Sequence, residues 1–475
     1  MTVLAIDQGT SATKALVVAD DGEVLSLAEA SIQVQATSDG AVELDPEDLW
    51  ASVIAAGNQA LTEAGHPTLS AIGLANQGET VMAWDRSSGA PSGPAIVWQD
   101  RRAEIVCDRL REHGAFLAEH TGLELDSYFV APKLVWLREQ VGHGPTITTT
   151  DAWMLHRLCG AFATDVATAG RSLLLELDTG SWSDRACEIF GIDPTSLPTV
   201  VGNAYTLGEC ALFGGSVPVT GTCVDQQAAL YAEHCHAAGE AKCTYGTGAF
   251  MLACTGDEPT RSSNGLVGCP AWRIGDALTY CLDGQVYTVG AAVTWLIAMG
   301  IMSEPSDLDR LGGSVDGTGG VTFVPALAGL AAPYWKPQAK AAFTGMTMST
   351  ERGHLVRAAI EGIAAQVALL AQAAGRDLGA PLTRLRVDGG LTRSRVLLQT
   401  QADLLQAPVE VYPSPHATAL GVAAFADLGA NPSSQAELGA AAWHPDVVVE
   451  PRIGADEAAE RLAAWQRVAA ATMEL

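Results

Sequence analysis

Two stretches of this chain set a turn of glycine and hydroxyl side chains between apolar strands. Val3 to Val18 reads as a strand ending in Asp7, a Gly9-Thr10-Ser11 turn, and a second strand through Thr13 and Lys14. Lys242 to Leu252 repeats the device around Gly246-Thr247-Gly248. Glycine lets backbone approach a phosphate closely, and turn N–H groups with Ser or Thr hydroxyls then donate to its oxygens. One such turn is usually only a hairpin. Two of them, about half the chain apart, suggest two lobes closing on the phosphates of one nucleotide. A third loop, Asp388-Gly389-Gly390-Leu391-Thr392-Arg393-Ser394, follows a strand and opens a helix, which suits phosphate or adenosine docking at a helix N-terminus.

Carboxylates complete the chemistry. In Thr220 to Ala229 an apolar strand ends in Asp225 just before a helix. Phosphoryl transfer to an alcohol needs one carboxylate to accept the hydroxyl proton, a contribution of order 10²–10⁴ in rate. Asp225 is also well placed to cap the helix beginning at Gln226, and the two roles are compatible. Asp7, at the end of the first strand, is expected to hold Mg²⁺ through water, because Mg²⁺ dehydrates reluctantly. His234-Cys235-His236 lacks the second half of a zinc site and is not read as one.

The elements that must position these groups follow from the pattern. Strands are expected at 3–7, 14–20 and 24–32, joined as an antiparallel meander. A helix with Asp45 as N-cap and Pro46 at its first position comes next. Strands at 69–76, 81–84 and 96–98 precede a helix over 101–112. The second half repeats the order, with strands near 242–247, 249–254 and 279–283, a helix from Ala291, a long helix from His354 to Gly375, and a closing amphipathic helix from Asp456 to Met473. A meander followed by alternating helices and strands is not the β-α-β opening of a dinucleotide-binding domain. It predicts a duplicated, two-domain α/β actin-like (ribonuclease H-like) ATPase fold with a cleft between the lobes, the domains spanning 1–233 and 234–475.

At 475 residues the chain exceeds what one core usually supports. Charged residues make up 17% and hydrophobic residues 48%, which excludes a disordered chain. The formal charge of −27 repels nucleic acid and anionic membranes, so neither is expected as a partner. Ten cysteines with no C-x-x-C pair read as buried thiols of a reducing compartment. No leader and no membrane-length apolar run is read, so a cytoplasmic location is expected.

Several longer motifs resemble the FGGY family of carbohydrate kinases, in particular its glycerol-phosphorylating members. These are Ala5–Thr10 (AIDQGT), Ile96–Arg102 (IVWQDRR), Val224–Leu230 (VDQQAAL), Thr244–Leu252 (TYGTGAFML), Val324–Pro337 (VPALAGLAAPYWKP), Leu385–Gly390 (LRVDGG), and Ala341–Glu361 with Gly345, His354 and Glu361. The resemblance implies an ATP-dependent kinase using Mg²⁺ and acting on a small polyol. In it Asp225 is the base, with Asp7 and Asp225 toward the metal. Thr10, Ser11, Thr13 and Lys14 then face the nucleotide phosphates from the first lobe, and Thr247 and Gly290 from the second. Gly390, Leu391 and Ser394 line the adenosine site. Glu79, Tyr128, Asp225 and Gln226 hold substrate hydroxyls, while Trp98 and Phe250 pack its carbon chain.

One departure bears on substrate. The glycerol-phosphorylating members carry Asn-Gln-Arg-Glu where this chain has Asn76-Gln77-Gly78-Glu79. Loss of a charge-assisted hydrogen bond of roughly 1.5–3 kcal/mol weakens glycerol about ten- to a hundredfold unless another group replaces it. Glycerol, giving glycerol 3-phosphate, is the first expectation, and a tetritol, pentitol or ketose such as xylulose is the alternative. Lys14 replaces an arginine and serves as a point charge. Val130 stands where the family's signature prefers Ser, Thr or Pro, ahead of Lys133 and Trp136. Ala12 replaces a serine, and Phe213 to Val217 lacks the arginine with which bacterial members bind fructose 1,6-bisphosphate. An actin-like nucleotide switch without small-molecule turnover stays open at this point, as does a homodimer or homotetramer.

Overall fold

The computed structural model describes residues 2–37, 40–431 and 444–474. The opening strands β1 (Val3–Gln8), β2 (Ala12–Val18) and β3 (Val24–Ser31) form the antiparallel meander. β2 stops at Val18, short of the expected residue 20, because the Ala19 N–H donates to the Glu23 carbonyl and Gly22 turns the chain at φ +86°. Helix α1 (Pro46–Glu63) starts as read, with the Asp45 carboxylate accepting from the Glu47 N–H. It buries Leu49, Val53, Ala56 and Ala60 against β2 and β3.

Strand β4 (Ala71–Asn76) lies parallel to β1, and β5 (Ala204–Cys210) and β6 (Val217–Val224) finish the sheet in the order β5-β6-β4-β1-β2-β3. Helix α2 (Asp225–Ala232) follows β6. Between β4 and β5 a smaller sheet holds Val81–Trp84, Ala95–Ile96 and Thr146–Thr149. The strand expected over 96–98 is cut to Ala95–Ile96, and the helix expected over 101–112 shrinks to Glu104–Arg109 plus a 3₁₀ turn. The cause is Asp100, whose carboxylate accepts from the Val42 and Arg102 N–H groups and holds the chain in an irregular path. That path releases Trp98 toward the cleft.

The second half builds β7 (Ala241–Tyr245), β8 (Ala249–Gly256), β9 (Val267–Ile274), β10 (Ala277–Val286), α3 (Gly290–Ala298), α4 (Arg352–Leu378), β11 (Leu385–Asp388), α5 (Arg395–Leu405), β12 (Val409–Val411), α6 (Ala417–Ala430), β13 (Val447–Val449) and α7 (Ala455–Met473). Its sheet runs β9-β10-β8-β7-β11-β12-β13. In both sheets the first strand of the meander pairs in parallel with a later strand, β1 with β4 and β7 with β11. The fold is therefore duplicated. Among the described residues α4 alone is long and apolar enough to cross a membrane, and most of it is buried in the second core with Phe323 and Trp465.

All strands of the first sheet precede residue 225 and all strands of the second follow residue 240, yet α6 crosses back to cover β1, β4 and β6. Small residues allow the approach. A Cβ at Gly73 would lie 2.6 Å from the Val422 carbonyl oxygen, one at Gly221 2.5 Å from the Ala426 nitrogen, and one at Gly421 would overlap the Ala228 carbonyl. The Thr220 hydroxyl donates to the Ala426 carbonyl at 2.7 Å. Backbone cannot yield cheaply to such overlap, so Gly421→Ala is expected to cost about 3 kcal/mol in denaturant unfolding. Gly144→Ala, at a site with open space around it, should change the midpoint little.

Candidate active site

Strands β1, β4 and β6 run parallel and end level, since Gln8 and Val224 both pair with Asn76. Their carboxyl ends therefore deliver Asp7, the Gln77-Gly78-Glu79 turn and Asp225 to one place, the usual location of ligands in such sheets. A pocket of ≈220 Å³ opens there. It is lined by Thr10, Ser11, Glu79, Trp98, Tyr128, Asp225, Gln226, Thr247 and Phe250 among others, so most of the residues singled out from sequence meet in it.

Three aromatic rings make one wall. Trp98 stands edge-on to Tyr128 at 5.8 Å and to Phe250 at 6.0 Å between centroids, a favoured geometry that leaves an apolar face for a carbon chain. The Trp98 indole N–H donates to the Thr10 hydroxyl, which itself donates to Gln77 Oε1. Thr10 thus spends its hydroxyl proton on fixing the pocket wall. The buried Lys133 ammonium donates to the carbonyls of Ser127, Tyr128 and Phe129 and pins the loop that presents Tyr128. Burial pulls that ammonium down to about 8.

Polar groups form the opposite wall. Glu79 sits at φ +57°, a strained conformation for a side-chain-bearing residue. Its Oε1 accepts from Arg171 Nε at 2.6 Å, and Arg171 Nη1 lies 2.7 Å from Asp283 Oδ2 across the cleft. Gln226 Oε1 accepts from Lys242 Nζ at 2.6 Å, which orients the amide. Asp225 is the first residue of α2, and Val224 is the N-cap; the Asp225 carboxylate accepts from the Gln226 N–H at 2.7 Å rather than bridging to a later turn. The capping role expected for Asp225 is therefore replaced by this local bond, which leaves the carboxylate facing the pocket.

Burial, then the charges of Asp7 and Glu79, raise the Asp225 carboxyl to about 7 against the pull of Lys242. Burial likewise raises Asp7 to about 6, with Lys14 pulling it down and Asp388 pushing it up. Asp388 is also raised by burial, and its Oδ1 is buried without a partner. Carboxylates that oppose one another's ionisation in a buried cleft fit a divalent cation. Among the described residues no three His, Cys, Asp or Glu side chains close on one point.

A second cleft of ≈490 Å³ lies in the other lobe between the β7–β8 turn, the start of α3 and the loop after β11. Thr247, Gly290, Gly390 and Leu391 line it, and Thr247 lines the first pocket too. Gly290 serves by its lack of a side chain, since a Cβ would lie 2.5 Å from the Gly246 carbonyl oxygen. Its N–H already donates to that oxygen.

Two hydroxyls expected at the nucleotide are engaged within the protein. The Thr13 hydroxyl is fully buried against the Ser52 hydroxyl at 2.6 Å, because β2 alternates and turns that residue into the first core. Ser394 caps α5 and donates to Asp309 at 2.6 Å, so it shapes the loop behind the cleft. Arg171, Lys242 and Asp283 were missed from sequence. Each is a single charge in an apolar stretch, Ala-Gly-Arg-Ser-Leu-Leu, Ala-Lys-Cys-Thr and Cys-Leu-Asp-Gly, and a charge buried in that way implies a partner.

Two pockets thus share Thr247 in their lining, one holding the Asp225 carboxylate and the other the Gly390 and Leu391 loop. Residues 2–232 match the FGGY family of carbohydrate kinases, N-terminal domain, and residues 241–430 match its C-terminal domain. The chain belongs to this family. It is 40% identical to a glycerol kinase of Alkalilimnicola ehrlichii, the match covering 98% of this chain and 97% of that one. It is 39% identical to one of Thermus brockianus, with the same coverage. Among solved structures it resembles Plasmodium falciparum glycerol kinase with ADP, at TM-score 0.92, 30% identity, and coverage of 99% and 98%. Xylulose kinase from Rhodospirillum rubrum shares the fold at TM-score 0.87 and 23% identity, covering 99% of each chain.

A carboxylate base works ionised and a raised carboxyl is protonated below its pKa, so with Asp225 as base kcat/KM is expected to rise with pH through about 7 when Mg²⁺ is low. Saturating Mg²⁺ should move this limb to lower pH, and a profile unaffected by Mg²⁺ would count against the placement. Arg171→Gln, which frees Glu79, should raise KM for the acceptor about tenfold or more with a smaller change in kcat.

Proposed function

We propose that this protein transfers the γ-phosphate of MgATP to a terminal hydroxyl of a small polyol, glycerol being the acceptor for which its 39–40% identical relatives are named. The observation that carries the reading is Thr247, which lines both the nucleotide-sized cleft and the pocket holding Asp225. A nucleotide seated against Gly390 and Leu391 would pass its phosphates over the Gly246-Thr247 turn toward Ser11, Lys14 and the base.

In this reading Glu79, Tyr128 and Gln226 hold the acceptor's hydroxyls while the Trp98, Tyr128 and Phe250 rings take its carbon face. Asp225 accepts the proton as the hydroxyl oxygen bonds to the γ-phosphorus and the bond from that phosphorus to the β–γ bridging oxygen breaks. Asp7 and Asp225 would hold Mg²⁺, with Asp388 nearby, and the ion would neutralise charge on the phosphates. Lys14 adds a point charge. The protein's share of the rate is positioning and electrostatics, with little covalent work.

The Gly78 departure is softened by Arg171, which brings a guanidinium to the same pocket from another element. We divide the lobes at 1–233 and 234–475. Ten unpaired thiols, eight of them buried, support a reducing, cytoplasmic setting.

ADP release with MgATP over glycerol, tetritols, pentitols and xylulose tests the function. Turnover of at least one acceptor, lost by about 10²–10⁴ in Asp225→Asn, is expected. Release of ADP that no acceptor stimulates would favour a nucleotide switch. Solution scattering should show a smaller radius of gyration with nucleotide and acceptor bound, as the cleft shuts on both.

A further inference from the structure

Asp283 reaches the acceptor pocket from β10, on the far lobe, and is almost fully buried. Its Oδ2 pairs with Arg171, while its Oδ1 is buried with no hydrogen-bond partner. A second lining residue is in the same condition. Gln77 takes the Thr10 and Thr80 hydroxyls on Oε1, and its Nε2 donor is buried without a partner. A buried polar atom left unpaired costs about 1–3 kcal/mol, and native proteins rarely carry two in one pocket unless something else meets them.

The bare backbone at Gly78 separates Gln77 from Glu79, and a Cβ there would lie 3.0 Å from Val224 Cγ2. No side chain of this turn therefore enters the space between them. In the proposed pose the three hydroxyls of a triol are directed at Asp225, Glu79, Tyr128 and Gln226, and one further hydroxyl, which both donates and accepts, is the simplest group to meet Asp283.

We propose that Asp283 is a specificity-determining residue that accepts a hydrogen bond from an additional substrate hydroxyl, making the preferred acceptor an acyclic polyol of four or five carbons. This rests on the polyol kinase reading above and narrows it. Because the residue lies on the second lobe, the extra hydroxyl also links the acceptor to lobe closure, so a longer polyol helps assemble the site that phosphorylates it. A site built to hydrogen-bond a hydroxyl discriminates strongly against the analogue lacking it.

The test compares kcat/KM for glycerol, erythritol, threitol, xylitol, arabinitol and 1,2,4-butanetriol, which keeps the four-carbon chain and lacks one hydroxyl. In the native enzyme a tetritol or pentitol should exceed both glycerol and butanetriol about tenfold or more. In Asp283→Asn that ratio should fall by about tenfold. The butanetriol comparison needs no substitution and tests the extra hydroxyl itself, while Asp283→Glu, which keeps the carboxylate and should retain part of the preference, assigns it to this residue where Asp283→Asn does not fold. Equal kcat/KM for butanetriol and the tetritols, a preference for glycerol, or an Asp283→Asn loss shared equally by all acceptors overturns the subsite while leaving the kinase reading intact. Absence of turnover with every acceptor overturns both.

Discussion

The constraint on which this structure turns is the gathering of the half-buried Asp7 and Asp225 carboxyls at one cleft. Each is raised toward neutrality by desolvation and by acidic neighbours. Three parallel strands ending level place them there, with Glu79 and Asp388 adding to the negative charge and two lysines opposing it. Lys14 faces Asp7 from the paired strand, and Lys242 approaches Asp225 while orienting Gln226. The remaining imbalance is what a divalent cation and an acceptor's proton would relieve.

Arg171 plays the matching part across the lobes. Its guanidinium ties Glu79 of the first lobe to Asp283 of the second, and it lies within cation–π reach of Tyr128 and Phe129. A buried charge with two partners is costly to disturb, since losing one partner leaves the others uncompensated. The Glu79 pocket wall and the contact between lobes are thus tied to one side chain. The close packing of α6 on the first sheet joins the halves a second time, through backbone contacts that only glycine permits at positions 73, 221 and 421.

Much of this was legible in the sequence for a physical reason. Asp7 and Thr247 stand beside glycine turns and Asp225 where a strand passes into a helix, and such local patterns survive folding because the geometry of those junctions needs those residues. Side-chain direction was less legible. Thr13 looked like Ser11 in the sequence, yet the strand's alternation turns it into the core, and Ser394 is drawn away by Asp309. Trp98 emerged from an irregular stretch that Asp100 creates, where a strand was expected. Arg171 and Asp283 are the harder case, because they become partners only when segments more than a hundred residues apart are brought together. What the sequence offered was one isolated charge in each apolar run.

The account stands or falls on whether the two pockets form one reaction path. A crystal structure with a non-hydrolysable ATP analogue, Mg²⁺ and a polyol measures this directly. The account predicts the triphosphate passing Thr247, with an acceptor hydroxyl within about 3 Å of an Asp225 carboxylate oxygen and facing the γ-phosphorus. A nucleotide whose phosphates turn away from Thr247, or an acceptor held out of reach of Asp225, would contradict it.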